Sequence, residues 1–196
     1  MKTITLLLSL LLFSGCAVKY ETAVNIKNGK IYPTRISDKE RKKIDKLYSM
    51  LISLDPKIDR YEAKELAKTA VLYPIYLSKK YDLVYPPNFH NFLVNINLRQ
   101  KGLCYQWVED LMKEIGCKNF KSFSFHWGVA NRGKLNEHNV IVVTAKNASY
   151  ESGIVFDAWR NSGDLYFNYL KNEKKYKFKE WKEKSKIISS CFSFIK

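Results

Sequence analysis

Near Gly116 the hydrophobic pattern changes its period, and that change limits the possible folds more than any other feature of the chain. Upstream, apolar residues recur every three or four positions, as amphipathic helices require. Downstream they gather in short runs of Val, Ile, Phe and Trp separated by turn formers, as strands require. Ser37 before Asp38-Lys39-Glu40 is a capping-box start for a helix with Ile44, Leu47, Leu51 and Leu54 on its apolar side, stopped by Asp55-Pro56. Asp59 and Glu62 open a second helix towards Lys80, apolar at Ala63, Leu66, Ala67, Ala70 and Val71, which Pro74 should kink or divide. After the extended connector Tyr85-Pro86-Pro87, the residues Phe89, Phe92, Leu93 and Ile96 predict a short helix ending near Lys101-Gly102. Leu103 to Ile115 is again helical, with Trp107, Val108, Leu111, Met112 and Ile115 inward and Gly116 as its stop. Phe123 to Ala130, Asn139 to Ala145 and Gly153 to Trp159 predict three strands of an antiparallel meander. Leu165 to Leu170 and Ile187 to Phe194 offer further strands, with the lysine-rich segment Lys171 to Lys186 on the surface between them. The expected class is therefore α+β, helices packed on an antiparallel meander.

The first sixteen residues combine Lys2, an apolar run from Ile4 to Phe13, and Ser14-Gly15-Cys16. That is a signal-peptide pattern, too short for a mature membrane span, and a small pair before a cysteine suits a lipoprotein signal peptidase. Residues 1–15 are expected to be removed, leaving Cys16 as a lipidated N-terminus. Residues 16–37, polar and turn-rich with Asn28-Gly29 and Pro33, are expected to be a tether with little fixed structure. Residues 38–196 then form a single domain with a basic C-terminal segment; the mature chain has 196 − 15 = 181 residues. The net charge of +15 favours anionic lipids, glycans or nucleic acid, but export argues against nucleic acid as the partner. The plainer reading is a solvated lysine surface. No CxxC and no second Cys or His at metal spacing occurs, so neither a metal nor a cofactor is predicted.

With Cys16 lipidated, Cys104, Cys117 and Cys191 remain, and an odd number leaves at least one thiol unpaired. A Cys117–Cys191 bridge would leave Cys104 free, although other pairings stay open. Cys104 falls just after Gly102, in the first turn of a predicted helix, where backbone N–H groups and the helix dipole favour a thiolate. A lone cysteine is otherwise most often a small core residue. His138 stands at the mouth of the most apolar strand, on the same face as Val140 and Val142, placed to serve as a general base. His126 is its rival as base, or a substrate-pocket residue, whereas His90 lies in the helical part. Asp157 closes a strand that would pair with the one starting at His138, where a carboxylate can fix the imidazole tautomer. The separations, 34 residues and then 19, fit one helix plus a hairpin and its return strand.

Gly102-Leu103-Cys104-Tyr105-Gln106-Trp107, then Glu137-His138-Asn139 before an apolar strand, then Phe156-Asp157-Ala158-Trp159-Arg160-Asn161 resemble the papain/transglutaminase-like superfamily, specifically its bacterial cysteine-hydrolase lipoproteins. The resemblance covers about residues 85–170. It implies a nucleophile-bearing helix on the meander, with Cys104 as nucleophile, His138 as base and later acid, and Asp157 as the orienting carboxylate. The family's oxyanion-hole Gln stands several residues before the nucleophile; here Gln100 is four before it, leaving the Cys104 N–H and Gln106 or Trp107 as substitutes. Trp107, Trp127, Trp159 and Tyr105 suit an aromatic-walled cleft, and His126, Arg99, Arg160 and Asn161 are further pocket candidates. The implied activity is thiol attack on an amide through a thioester acyl-enzyme, in a peptide, a protein or a peptidoglycan stem peptide. The alternative is a catalytically silent envelope scaffold on the same fold. In lipoproteins, Asp after the lipidated cysteine retains a protein at the inner membrane; Ala17 there implies the outer membrane, facing the periplasm.

Overall fold

The computed structural model describes residues 16–27 and 30–191. The expected leader, the Asn28-Gly29 turn and the end of the expected 187–194 strand lie outside the described residues. Helix α1 (Asp38–Ile52) begins at Ser37, and Leu47 and Leu51, one turn apart, are fully buried. Its capping oxygen is used differently from the predicted box: the Ser37 hydroxyl donates to the Glu40 carboxylate, which also receives Thr22 Oγ1 at 2.9 Å. Helix α2 (Arg60–Lys80) starts with Asp59 accepting the Glu62 N–H at 2.8 Å. The Glu62 carboxylate turns outward to accept the N–H groups of Lys121 and Ser122, pinning the helix start to the entry of the sheet. Pro74 does not divide α2, because nearly every residue from Ala70 to Ser78 is buried. That packing outweighs a local cost of about 3 kcal/mol for an interior proline.

Helix α3 (Pro87–Asn95) is shorter than the pattern predicts and is turned over. Proline occupies its first turn, its buried residues are His90 and Val94, and Phe92 and the following Ile96 are exposed. Helix α4 (Cys104–Gly116) buries Trp107, Val108, Leu111, Met112 and Ile115 as predicted. Burial of each such side chain is worth about 1.5–3 kcal/mol, which makes α4 the central helix of the core.

Nine strands occur among the described residues: β1 (Cys16–Ala17), β2 (Ala23–Lys27), β3 (Lys30–Arg35), β4 (Val84–Tyr85), β5 (Phe123–Ala130), β6 (His138–Ala145), β7 (Ile154–Asp157), β8 (Tyr166–Tyr169) and β9 (Lys179–Glu180). The main sheet runs β8-β7-β6-β5-β9, all antiparallel neighbours. The protein is mixed α+β, with the expected meander at its centre. One sheet face carries Phe123, Phe125, Trp127, Ile141, Val143, Ile154 and Phe156 into the core shared with α1, α2 and α4. The other holds a smaller cluster of Ala130, Val140, Val142, Tyr150, Val155 and Phe178.

Two expectations are corrected. Residues 16–37 are not a loose tether: β1 pairs with β4, β2 pairs with β3, Val24 and Ile31 enter the core, and Tyr20 donates to Ser162 O at 2.7 Å. The polar residues that suggested a linker alternate with apolar ones that find cover on α2. The stretch from Ile187 is not a strand either, because it continues helix α5 (Lys182–Cys191). β9 pairs with Gly128 and Val129 of the β5 edge, and the chain then folds back beside that strand, with Trp127 N donating to Ser185 Oγ at 2.9 Å.

Candidate active site

Gly102, held at φ +139°, leads the chain into α4. The His90 ring lies against it, donating Nε2–H to Lys101 O at 2.8 Å and accepting the Val84 N–H at Nδ1 at 3.4 Å. Burial is the largest influence on His90 and keeps it neutral by lowering its pKa, which suits this donor-and-acceptor role. The Gln106 carboxamide oxygen caps the helix by accepting the Gly102 and Leu103 N–H groups at 2.8 and 3.0 Å. Trp107 is buried and donates its indole N–H to Gly102 O at 2.9 Å. Gln106 and Trp107, both substrate candidates by sequence, therefore serve to hold the turn that presents Cys104. A Cβ at residue 102 would strike the His90 ring in a backbone region that L residues avoid. Gly102→Ala should cost about 1–3 kcal/mol in backbone strain, with about as much again from overpacking. Chemical denaturation measures that loss, and the same variant should show slower Cys104 alkylation because the thiol is misplaced.

The Cys104 sulfur is half-buried and unpaired; Cys117 is likewise a free thiol, and exposed. The entry of β6 surrounds the sulfur. Sγ donates to Glu137 O at 3.7 Å, and Asn139 Nδ2 donates to Sγ at 3.6 Å. Asn139 is oriented from behind by Trp127, whose indole N–H reaches its Oδ1 at 2.6 Å, and from the side by Glu137 Oε1 at 3.0 Å. Trp127, expected in a substrate cleft, is thus a buried support for the residue that touches the nucleophile. Trp107, Val108, Leu111, Ile141 and Phe156 close the floor beneath.

His138 is buried, and its Nε2 is 2.7 Å from Asp157 Oδ2. Its Nδ1 is also buried and has no hydrogen-bond partner, so it is the nitrogen free to serve the thiol. Ring and sulfur act on each other's ionisation both as hydrogen-bonding partners and through charge, across a spacing looser than an ordinary bond, as expected of an unliganded site. Burial works hardest against both charges, yet the partners prevail. Cys104 is lowered by His138 and Asn139, and His138 is pushed up to about 9 by Asp157 and Cys104. Both shifts run in the direction that favours a thiolate paired with an imidazolium. Asp157, fully buried, is held below the usual carboxylate range: burial opposes this, but His138 and Arg160 outweigh it.

Arg160 is tied to Asp157 rather than facing a ligand. Its Nε and backbone N–H both donate to that carboxylate at 2.9 Å, and its remaining nitrogens bond Glu173. Trp159, Tyr176 and Phe178 pack their rings around His138 at centroid distances of 4.9, 4.6 and 5.7 Å, shielding the His138–Asp157 bond from water. Tyr176 and Phe178 lie in the lysine-rich segment, where no local pattern marks them; Asn139 and Trp127 could be found only by knowing that β5 and β6 pair.

Other candidates lie apart. His126 faces Val142, four residues along β6 from His138 and about 13 Å away along the strand, and bonds Glu180 and Thr144 at 2.8 and 3.1 Å. Gln100 and Asn161 are exposed, Tyr105 is at the surface beside Cys104, and Arg99 is paired with Asp82. Cys104, His138 and Asp157, the three residues expected to be catalytic, lie together, with the candidates Trp159 and Arg160 packed and bonded around them. No family model matches the chain, and no solved structure matches it significantly.

Proposed function

We propose that this protein is an envelope thiol hydrolase or transamidase of the papain/transglutaminase-like kind, acting on an amide through Cys104, His138 and Asp157. The observation that carries the reading is the buried imidazole: one nitrogen is fixed on a buried carboxylate, and the other is unsatisfied beside a thiol with a lowered pKa. The Cys104 thiolate attacks the amide carbonyl carbon, forming the C–S bond as negative charge moves to oxygen. The Cys104 N–H, at the first position of α4, is the oxyanion donor this helix offers, because the Gln106 and Trp107 N–H groups are already taken by Leu103 O. His138 then gives its proton to the departing amine as the C–N bond breaks, leaving a thioester. Next, His138 takes a proton from water or from an acceptor amine, which attacks the thioester and frees the thiolate. Asp157, by holding Nε2, keeps Nδ1 directed at the sulfur throughout. Peptides, proteins and peptidoglycan stem peptides all offer the required amide. The N-terminal pattern supports a lipid anchor at Cys16 and, with Ala17 following, the periplasmic side of the outer membrane.

A p-nitrophenyl ester of a short acyl chain tests the chemistry without the natural substrate. Mass spectrometry should find a transient acyl group on Cys104, absent in Cys104→Ala and retained in His126→Ala. Acylation of Cys117 at the same rate, or none at Cys104, rejects the enzyme reading and leaves the silent scaffold.

A further inference from the structure

We infer that the face formed by β1, β4 and α3 lies directly on an anionic lipid bilayer. This goes beyond the proposed activity, and it rests on the apolar 4–13 segment entering a membrane, whether as a retained leader or replaced by lipid on Cys16. Cys16 is hydrogen-bonded in register with Tyr85, and Val18 N donates to Leu83 O at 3.0 Å. No slack therefore separates the membrane-seeking end of the chain from the folded domain, and the surface around Tyr85 must face the headgroups.

That surface has the composition such a position demands. Tyr85 is 57 % exposed, Phe92 53 %, Ile96 46 % and Leu98 61 %. Phe92 and Ile96 stand one turn apart on the outer side of α3, while His90 and Val94 fill its inner side. Leu98 is folded back onto this helix through its N–H to Leu93 O. A short helix that turns Phe92 outward, against its own hydrophobic pattern, is covering something apolar. Lys19, Lys79 and Lys80, all exposed, flank the patch and match anionic headgroups; Asp82, the neighbouring carboxylate, is paired with Arg99. The inner side of α3 reaches the active site, Asn91 Oδ1 accepting the Trp159 indole N–H at 3.0 Å. The cleft then opens close to the bilayer, towards amides held near the membrane surface.

Hydroxyl-radical footprinting of the full chain, expressed with its leader and reconstituted in vesicles containing phosphatidylglycerol, tests this. Tyr32 in β3 and Tyr61 in the first turn of α2 are internal controls, comparably or more exposed and grouped together away from β1, β4 and α3. Tyr85, Phe92 and Leu98 should be oxidised several-fold less than those controls. The difference should shrink in phosphatidylcholine vesicles and in a Lys79→Glu, Lys80→Glu variant whose Cys104 alkylation is unchanged. Equal oxidation of both sets overturns the inference. So does protection in detergent that grows with protein concentration, which would assign the face to a second copy of the chain. The mass of the N-terminal peptide reports lipidation separately. Slow Cys104 labelling with an intact footprint would reject the proposed enzyme and leave this face standing.

Discussion

Iodoacetamide should alkylate Cys104 at pH 7 roughly tenfold faster than an ordinary exposed thiol, with Cys117 in the same molecule as reference. A thiol of ordinary pKa is only about 3 % thiolate at that pH. A lowered pKa raises that fraction, by at most about thirtyfold at full ionisation, and the weaker nucleophilicity of a low-pKa thiolate returns part of the gain. His138→Ala should abolish the advantage and move the pH midpoint of alkylation upward, because the imidazolium is what favours the thiolate. The profiles of alkylation and acyl transfer should then separate. Both fall as acid protonates the thiolate through its lowered pKa. Above about 9, where His138 loses its proton, alkylation continues because the thiolate persists, but acyl transfer declines because no acid remains for the departing amine. Coincident alkaline limbs would contradict the assignment of His138.

Removing the carboxylate should have the largest effect on stability. Asp157→Ala leaves His138 and Arg160 facing an uncompensated buried site, a loss of about 3–5 kcal/mol, read by urea denaturation. Asp157→Asn preserves shape and removes charge, so it separates catalysis from packing: His138 should lose its raised pKa and Cys104 its rapid alkylation, with less loss of stability. The pH dependence of folding follows in sign. Asp157 has a depressed folded pKa, so its contribution is complete above about pH 4 and is lost as pH falls through the folded value. His138 has a raised one, so its contribution is complete below about pH 6.5 and is lost as pH rises through about 9. The wild-type chain should be most stable between those limits, and Asp157→Asn should flatten both flanks. An unchanged pH profile in that variant would show that the pair is not coupled to folding.

How much of this was legible beforehand depended on whether the signal was local. The α4 helix, its buried stripe and the strands β5 to β8 follow from apolar spacing, because burying one face of a helix or strand imposes a period on the residues that face it. Cys104 in a first turn, His138 at a strand entry and Asp157 at a strand end are placements of the same kind. Phe92 and Ile96 misled for the opposite reason: a hydrophobic pattern shows which side of a helix is apolar, but not whether protein covers it.

From the sequence alone came the α+β order and the three residues of the candidate site, since period and position are properties of neighbouring residues. Only the tertiary structure decided that residues 16–37 join the core, that Arg160 neutralises Asp157 instead of meeting a ligand, that Asn139 rather than Gln100 touches the sulfur, and that Tyr176 and Phe178 cover His138. Each of these depends on contacts between residues distant in the chain, where burial and pairing are set by which surfaces meet.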